Sequence, residues 1–266
     1  MNDALDKPLF VHSGIRRSLD AAAACGFPIS SNIKDDLFGF FQSLAGGQSE
    51  RLMFPAFNYD YGRSRCFNVD EDPVQVGSFP EFVRTSKPYT RSTTPFFSVL
   101  SSHDLNLDSS GVLNPFGAKS AFQKLKDADG TLLFAGADLL SITFIHYIEE
   151  MSGGPLYRYD KRFPGKIVKA GSELSCDLSM HVRPLGVHMD YDWPRLFAEL
   201  KQQGILKFHK SSAELFFINT VELLEFWGNK LADDPLSLLD EESLAHFKGA
   251  TNNGTRRVCI EEYENV

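Results

Sequence analysis

The sequence has few cysteines, no surplus of positive charge and no long uninterrupted apolar run. Its four cysteines lie far apart and form no Cys-x-x-Cys pair, so zinc-ribbon and thioredoxin-type signatures are excluded. There are 27 lysines and arginines against 35 acidic residues, a net charge of −8, whereas nucleic-acid-binding domains usually carry a basic surplus. We therefore expect reduced thiols and no nucleic-acid partner.

Targeting and membrane signals are also missing. The first ten residues, MNDALDKPLF, lack the basic-then-apolar pattern of a secretory signal. The longest apolar stretch, residues 131–148, is interrupted by Asp138 and His146 and is too mixed to span a bilayer. We expect a cytoplasmic protein without membrane contacts.

Standard motifs of several enzyme classes are absent as well. None of the seven histidines occurs in a His-x-x-x-His or His-Glu-x-x-His pattern, and neither Gly-x-Ser-x-Gly nor Gly-x-Gly-x-x-Gly occurs. These absences argue against a zinc protease, a hydrolase with a nucleophile elbow and a nicotinamide-dependent enzyme. We expect no metal.

What the sequence does have is a globular composition, with 42% apolar residues, 23% charged residues and 23 phenylalanines. Apolar runs predict strands at 9–13, 51–57, 95–100 and 131–136. Helical spacing predicts helices at 32–45, 118–127, 139–151, 193–203 and 212–230. Strands alternating with helices indicate an α/β fold. We interpret residues 58–76 as a long functional loop and the whole chain, 1–266, as one domain.

Two segments carry groups suited to chemistry. In VHSGIRR, residues 11–17, a strand runs into a helix whose first backbone N–H groups can hold a phosphate, although an ordinary strand-to-helix turn explains the pattern equally well. Thr143, His146 and Glu150 share one face of an apolar helix. His146 is therefore either a hydrogen-bonded core residue or a general base, the role for which histidine is most often used.

Six segments within residues 9–155 together resemble, in order, the aminoglycoside 3-N-acetyltransferase family, which is distinct from the GNAT acetyltransferases. VHSGIRR resembles the family's Val-His-Ser-Ser-Leu-Arg, RSTTPFFSV its Arg-Ser-x-His-Pro-x-x-Ser-Val, and residues 129–150 its Asp-Gly…Gly…Thr-x-x-His-x-x-Glu. The other matching segments are LMFPAFNYDYG, FNVDEDPVQVGSFPEFVR and NPFGAKSAFQKL. Thr94 and Asn114 stand where the family has two further histidines.

This resemblance implies a central mixed sheet flanked by helices and a coenzyme A-dependent N-acyltransferase, with acetyl-CoA or a longer acyl-CoA as co-substrate. It implies His146 as the general base and Glu81 as the carboxylate that supports it. The oxyanion donors stay open between backbone N–H groups and the Thr143 hydroxyl. The expected coenzyme contacts are His12, Ser13, Gly14, Arg91, Ser92 and Ser98.

The acceptor amine is less defined. A polycationic aminoglycoside needs several carboxylates, whereas the run at 157–169 is rich in lysine and arginine and suits an anionic acceptor. We therefore favour a nucleotide-linked amino sugar of surface polysaccharide biosynthesis, with an aminoglycoside as the alternative. The expected acceptor contacts are Asp60, Tyr61, Arg158, Tyr159 and Asp190.

Three further alternatives remain at this stage. Cys66 or Cys176 could carry the acyl group in a ping-pong route, because a cysteine beside a base is a competent nucleophile. The chain could instead be an inactive binding or scaffold homologue, since fold does not dictate function. The assembly is also open, with a homodimer among the alternatives.

Overall fold

The computed structural model describes residues 7–103, 105 and 112–264. In chain order its strands are β1 Leu9–Ser13, β2 Leu52–Pro55, β3 Cys66–Asn68, β4 Thr90–Arg91, β5 Val99–Ser101, β6 Val112–Leu113, β7 Thr131–Ala135, β8 Tyr159–Lys169, β9 Ser172–Val182, β10 Leu206–His209 and β11 Ser212–Asn219. Its α-helices are α1 Ile15–Ala24, α2 Ile33–Leu44, α3 Tyr61–Ser64, α4 Ser78–Ser86, α5 Ala121–Asp127, α6 Phe144–Met151, α7 Trp193–Gln202, α8 Thr220–Asp233 and α9 Glu241–Ala250. None of these helices is long and apolar enough to cross a bilayer.

The central sheet has seven strands in the order β10-β11-β7-β1-β2-β5-β4. The inner strands β7, β1 and β2 run parallel, and the outer strands pair antiparallel. The parallel centre explains why β1 and β7 are apolar almost throughout, because helices cover both faces of such strands. The predicted mixed sheet flanked by helices is therefore confirmed.

The alternation of side chains in β1 distributes its residues between two cores. Leu9 and Val11 pack in the core that contains α1 and α2, whereas Phe10 packs in the other core, with α5, α6 and α8. His12 is on the same side of the sheet as Phe10, because residues two apart on a strand share a face. Its ring stacks on Phe134 of β7, with centroids 4.6 Å apart.

A second sheet, in the order β3-β8-β9-β6, lies beside the first. Its centre is the long antiparallel hairpin of β8 and β9, paired from Tyr159–Val182 to Lys169–Ser172. Ala170 and Gly171 form the two-residue turn with φ of 49° and 75°, the geometry that twisted hairpins favour. The hairpin places residues 158 and 183 together at its open end.

Four predicted elements differ from the structure, and the first is the loop predicted at 58–76, which contains helix α3 and strand β3. The predicted helix 212–230 is strand β11 followed by helix α8, because the alternating residues of SAELFFIN pair antiparallel with β7. The predicted helix 139–151 is a 3-10 turn at Leu139–Ser141 followed by α6. The predicted strand 95–100 begins only at Val99, since a tight turn occupies the residues before it.

Candidate active site

A cavity with a volume of about 700 Å³ opens where the parallel strands end. We call it the main cavity. Ser13, Pro55 and Ala137 line it at or just after the carboxyl ends of β1, β2 and β7, which is where open α/β sheets bind ligands. The start of α6, the open end of the β8–β9 hairpin and the segment before α7 complete its wall.

His146, in the first half of α6, presents its imidazole to this cavity. Its side chain is 26% exposed, and its Nδ1 lies 2.9 Å from Oε2 of Glu149, one helical turn further on. Glu149 is 2% exposed. An ionised carboxylate only accepts hydrogen bonds, so the proton of a neutral His146 is on Nδ1, and Nε2 is the free basic nitrogen.

Three further side chains surround the Glu149 carboxylate. Tyr157 and Tyr191 donate their hydroxyl hydrogens to its Oε1 over 2.6 and 2.5 Å. The Arg158 guanidinium lies 3.7 Å from Oε2 and donates to the Tyr191 hydroxyl over 3.0 Å. The charge of Glu149 is therefore compensated although it is buried, as buried charges require.

The pKa values follow from this arrangement. Burial alone would raise the pKa of Glu149, but Arg158 and His146 outweigh it and lower that pKa to about 2. Burial lowers the pKa of His146, and the bond to Glu149 opposes part of that shift. At neutral pH the pair is thus a neutral imidazole beside a carboxylate, the state that a general base needs.

His12, Ser13 and Thr143 face the same cavity. Burial lowers the pKa of His12 to about 3, and its Nε2 and the Ser13 Oγ are buried without a partner among the described residues. Thr143 immediately precedes α6, and its hydroxyl has a single long contact of 3.5 Å to the Ser141 carbonyl. All three side chains therefore belong to the wall of the main cavity; that His12 and Ser13 contact the coenzyme and that Thr143 acts in catalysis stay predictions.

Glu81, the predicted partner of His146, is bound elsewhere. Its carboxylate accepts hydrogen bonds from Arg84 over 2.8 and 2.6 Å and from the backbone N–H of Val74 over 2.8 Å. Arg84 accordingly lowers the pKa of Glu81. Glu149 has the position next to His146 that was predicted for Glu81, because it lies one turn along the same helix.

The Arg91 segment, predicted to contact the coenzyme, is part of the interior. The Arg91 guanidinium is buried against Phe67 and donates to the Ser98 hydroxyl over 2.9 Å and to the carbonyls of Ala56 and Asp72. Ser92 accepts a hydrogen bond from the backbone of β5. None of Arg91, Ser92 and Ser98 lines the main cavity; they hold β4 and β5 against the loop after β2.

Gly14 also lies apart from the main cavity, in a shallow depression at the start of α1. Its backbone N–H donates to the Ala135 carbonyl over 3.0 Å, so it is not free for a phosphate. A Cβ at Gly14 would come within 2.4 Å of the Gly136 carbonyl oxygen. Glycine is required here by close packing of the turns after β1 and β7.

Two of the five predicted acceptor contacts, Arg158 and Asp190, line the main cavity. Asp190 accepts from the backbone N–H of Tyr191 and from the indole N–H of Trp193 over 2.8 and 3.0 Å.

The other three predicted acceptor contacts do not line it. Asp60 is exposed and accepts from the Gln75 side chain. Tyr61 is buried, with its hydroxyl on the Phe163 carbonyl, and Tyr159 is bonded to Glu264. Tyr59, two residues before Tyr61, lines the cavity instead.

Sequence reasoning missed Glu149, Tyr191 and Arg183. The signal for Glu149 was present, because the Thr-x-x-His-x-x-Glu pattern ends on it. Tyr191 and Arg183 come from loops with no local pattern that indicates a site.

The cysteines proposed for a ping-pong route, Cys66 and Cys176, lie in the second sheet and line neither the main cavity nor its neighbour. Burial raises the pKa of Cys176, which disfavours the thiolate. Across residues 7–103, 105 and 112–264, histidine, cysteine, aspartate and glutamate side chains form no cluster of three or more that could hold a metal ion.

Several solved structures share this fold. AAC-IIIb, as a binary complex with CoASH, is 16% identical, with a TM-score of 0.67 over 87% of this chain and 92% of that one. AAC-VIa bound to sisomicin is 15% identical, with a TM-score of 0.59 over 85% of this chain and 91% of that one. The YokD protein from Bacillus subtilis is 15% identical, with a TM-score of 0.62 over 85% of this chain and 87% of that one.

No curated protein matches the sequence significantly. The family model for aminoglycoside 3-N-acetyltransferase matches residues 48–232. This range is more than half of the chain and includes α6 and the β8–β9 hairpin. The resemblance found in the six segments is therefore confirmed: the chain belongs to the aminoglycoside 3-N-acetyltransferase family and is an N-acyltransferase.

Proposed function

We propose that this protein transfers an acyl group from acyl-CoA directly to the primary amine of an amino sugar, with His146 as the general base. The observation that carries the proposal is the His146–Glu149 pair, 2.9 Å apart, at the wall of the main cavity. A coenzyme A donor is further supported by the CoASH complex of AAC-IIIb, which shares the fold.

The reaction needs a base because an amine that is protonated at neutral pH cannot attack a thioester. As the acceptor nitrogen bonds to the thioester carbonyl carbon, Nε2 of His146 takes the proton that the nitrogen loses. The carbon–sulfur bond then breaks, the departing thiolate takes that proton from the His146 imidazolium to become the free thiol, and the amide and a neutral imidazole remain. Glu149 holds the imidazole in one tautomer and stabilises the imidazolium that forms.

The oxyanion of the tetrahedral intermediate needs donors that are in place before the reaction. Thr143 is the side chain that best meets this need, because its hydroxyl lines the cavity one turn before His146 and has only one long contact. Ser13, on the β1 side of the cavity, is the second candidate, because its buried Oγ has no partner among the described residues.

The acceptor is proposed to be an amino sugar that carries an anionic group, such as a nucleotide-linked amino sugar. Among the described residues, the main cavity is lined by one carboxylate, Asp190, and two guanidinium groups, Arg158 and Arg183. Arg183 is exposed and has no hydrogen-bond or ion-pair partner among those residues. A polycationic acceptor needs several carboxylates, whereas a free arginine suits a phosphate.

The basic run at 157–169 contributes less to this preference than its sequence indicates. Lys161, Arg162 and Lys166 are paired with Glu264, Asp177 and Glu173 respectively. The preference for an anionic acceptor therefore depends on Arg158 and Arg183 at the open end of the hairpin.

An aminoglycoside is the second candidate acceptor, because AAC-VIa, which shares the fold, binds sisomicin. The test is to incubate the protein with acetyl-CoA and either nucleotide-linked amino sugars or sisomicin, and to follow free thiol and acylated product by mass spectrometry. We expect acylation of the nucleotide-linked class. Acylation of sisomicin alone would overturn the acceptor proposal, and no acylation of any amine would favour an inactive homologue.

The single domain over 1–266, the cytoplasmic location and a homodimer stay predictions.

A further inference from the structure

A second, smaller cavity of about 220 Å³ adjoins the main cavity at His146. We call it the side cavity. His146, Tyr59 and Phe97 line both cavities. Its other lining residues are four apolar ones, Phe96, Phe116, Met180 and Val182, and four ionisable ones, Glu149, Arg158, His181 and Arg183. A group held at His146 can therefore extend from the main cavity into the side cavity.

The backbone is strained where it builds this wall. Phe96 has φ of 63°, an outlier for a bulky residue, and the N–H of Phe97 donates to the carbonyl of Pro95 over 2.8 Å. This three-residue turn with a positive central φ is rare and strained. It directs two consecutive phenylalanines to the side cavity, and strain of this kind clusters at ligand sites.

Asn114, which replaces a histidine of the family, supports the opposite wall. Its side-chain oxygen accepts from the backbone N–H of Phe116 over 2.9 Å, and its amide donates to Glu150 over 2.9 Å. The Phe116 ring packs 5.3 Å from the His146 ring and 4.7 Å from the Phe97 ring, between centroids. The Asn114 side chain therefore holds the segment that places the Phe116 ring next to the base.

The charged groups of the side cavity are mostly satisfied within the protein. Arg158 is paired with Glu149, and His181 lies 2.9 Å from Glu150 and 2.8 Å from Asp160. Arg183 is shared with the main cavity. What the side cavity offers a ligand is thus mainly apolar surface, which does not suit a polar sugar ring.

We propose that the side cavity binds the acyl chain of the donor and selects an apolar acyl group of about four to six carbons over acetyl, since a dry cavity of about 150 Å³ already holds a benzene molecule. This inference rests on the proposed function, because it places the thioester carbonyl at His146. The acyl transfer itself is unchanged: the same carbon–nitrogen bond forms and the same carbon–sulfur bond breaks.

The test measures donor binding without an acceptor, so that it does not depend on turnover. Isothermal titration calorimetry with CoA, acetyl-CoA and hexanoyl-CoA gives three dissociation constants for each variant. Each buried methylene is worth roughly a fourfold gain in affinity. Since burial in the side cavity is incomplete, we expect hexanoyl-CoA to bind at least about tenfold more tightly than acetyl-CoA.

Met180→Trp should fill the side cavity and abolish this tenfold preference while leaving the affinity for CoA unchanged. Met151→Trp is the matched control, because Met151 is 40% exposed and lines neither cavity; it should keep the preference. Met180→Ala, which enlarges the space, should move the preference toward longer chains. Thermal melts of all three verify that they fold.

The results separate the two proposals. Equal affinities for acetyl-CoA and hexanoyl-CoA in the unmodified protein would overturn the acyl site but leave the proposed function intact. Absence of binding of CoA itself would contradict the proposed function. If Met180→Trp changed only the KM of the acceptor in the turnover assay, equally with both donors, the side cavity would be an acceptor site and this inference would be wrong.

Discussion

His12 and His146 line the same cavity, and of the two only His146 has a carboxylate beside it among the described residues. His146 bonds to Glu149, and that bond offsets part of the fall in its pKa caused by burial. His12 stacks on Phe134 and has no charged partner within the part of the chain that the structure describes, so burial alone lowers its pKa to about 3. Burial makes both rings neutral at pH 7, but only the ring beside Glu149 can take up a proton at modest cost.

The difference between His146 and His12 is the difference between a side chain that can act as a base and one that can only form hydrogen bonds. A base must be neutral before the reaction and charged during it, which requires a nearby anion that is fixed in advance. A neutral imidazole that cannot be charged is suited only to donate or accept a hydrogen bond. We therefore expect four substitutions to affect this protein to very different degrees.

The largest loss of activity is expected for His146→Gln. The amide can still bond to Glu149 but cannot accept the proton, so kcat should fall by about 10²–10⁴. The measurement is steady-state release of free thiol from the acyl donor. His188→Gln is the control, because His188 is an exposed histidine that also has a carboxylate partner, Asp240. A kcat for His146→Gln within threefold of the control would contradict the assignment.

Glu149→Gln is expected to reduce both activity and stability. It leaves Arg158 buried without its counter-charge, which typically costs about 3–5 kcal/mol, and kcat should fall by up to about 10⁴-fold, because the amide no longer fixes the tautomer of His146. Because Glu149 raises the pKa of His146, the acid limb of the kcat/KM profile should also move to lower pH. An unmoved limb in a folded variant would show that the two residues are not coupled.

His12→Phe is expected to change how stability depends on pH. Unfolded His12 takes up a proton below its ordinary pKa of 6.5, whereas folded His12 does not do so until about pH 3. His12 therefore costs no stability above pH 6.5 and progressively destabilises the fold as the pH falls toward 3. Removing it should reduce the stability lost between pH 7 and pH 5 by about 2 kcal/mol. Urea midpoints at the two pH values measure this, and identical losses in variant and parent would contradict it.

Glu81→Gln is expected to have the smallest effect. Glu81 is 30% exposed and paired with Arg84 on its own helix, so its loss should cost about 1 kcal/mol or less in the free energy of unfolding. We expect kcat to stay within threefold of the parent. A fall in kcat comparable to that of Glu149→Gln would restore Glu81 to the role that the sequence resemblance implies.

The sequence predicts the helices and strands in which the spacing of apolar residues fits only one type of element. The strand at 9–13 and the helix around 33–44 follow from apolar runs and helical spacing. The predicted helix 212–230 was wrong in its first half, because the pairing of β11 with β7 is a long-range contact that local spacing does not contain. The turn at Phe96 was missed for a similar reason: a positive φ at phenylalanine is imposed by its surroundings.

The site was predictable only in part. His146 and Thr143 lie in one contiguous pattern, and so does Glu149, which was overlooked in favour of Glu81. Tyr191 and Arg183 reach the cavity from the loop before α7 and from the end of β9. Their proximity to α6 depends on the packing of separate segments, which a single sequence does not reveal.

The open end of the β8–β9 hairpin has a consequence for the charge of the main cavity. Arg158 and Arg183 flank the terminal Tyr159–Val182 pair, while the hairpin turn at Ala170 and Gly171 is exposed. Arg183 forms no ion pair with the described residues, whereas Arg158 forms one with Glu149. A substitution at 183 would therefore change the charge of the main cavity without breaking an ion pair among the described residues, although it would also remove one of the cations that lower the pKa of His146.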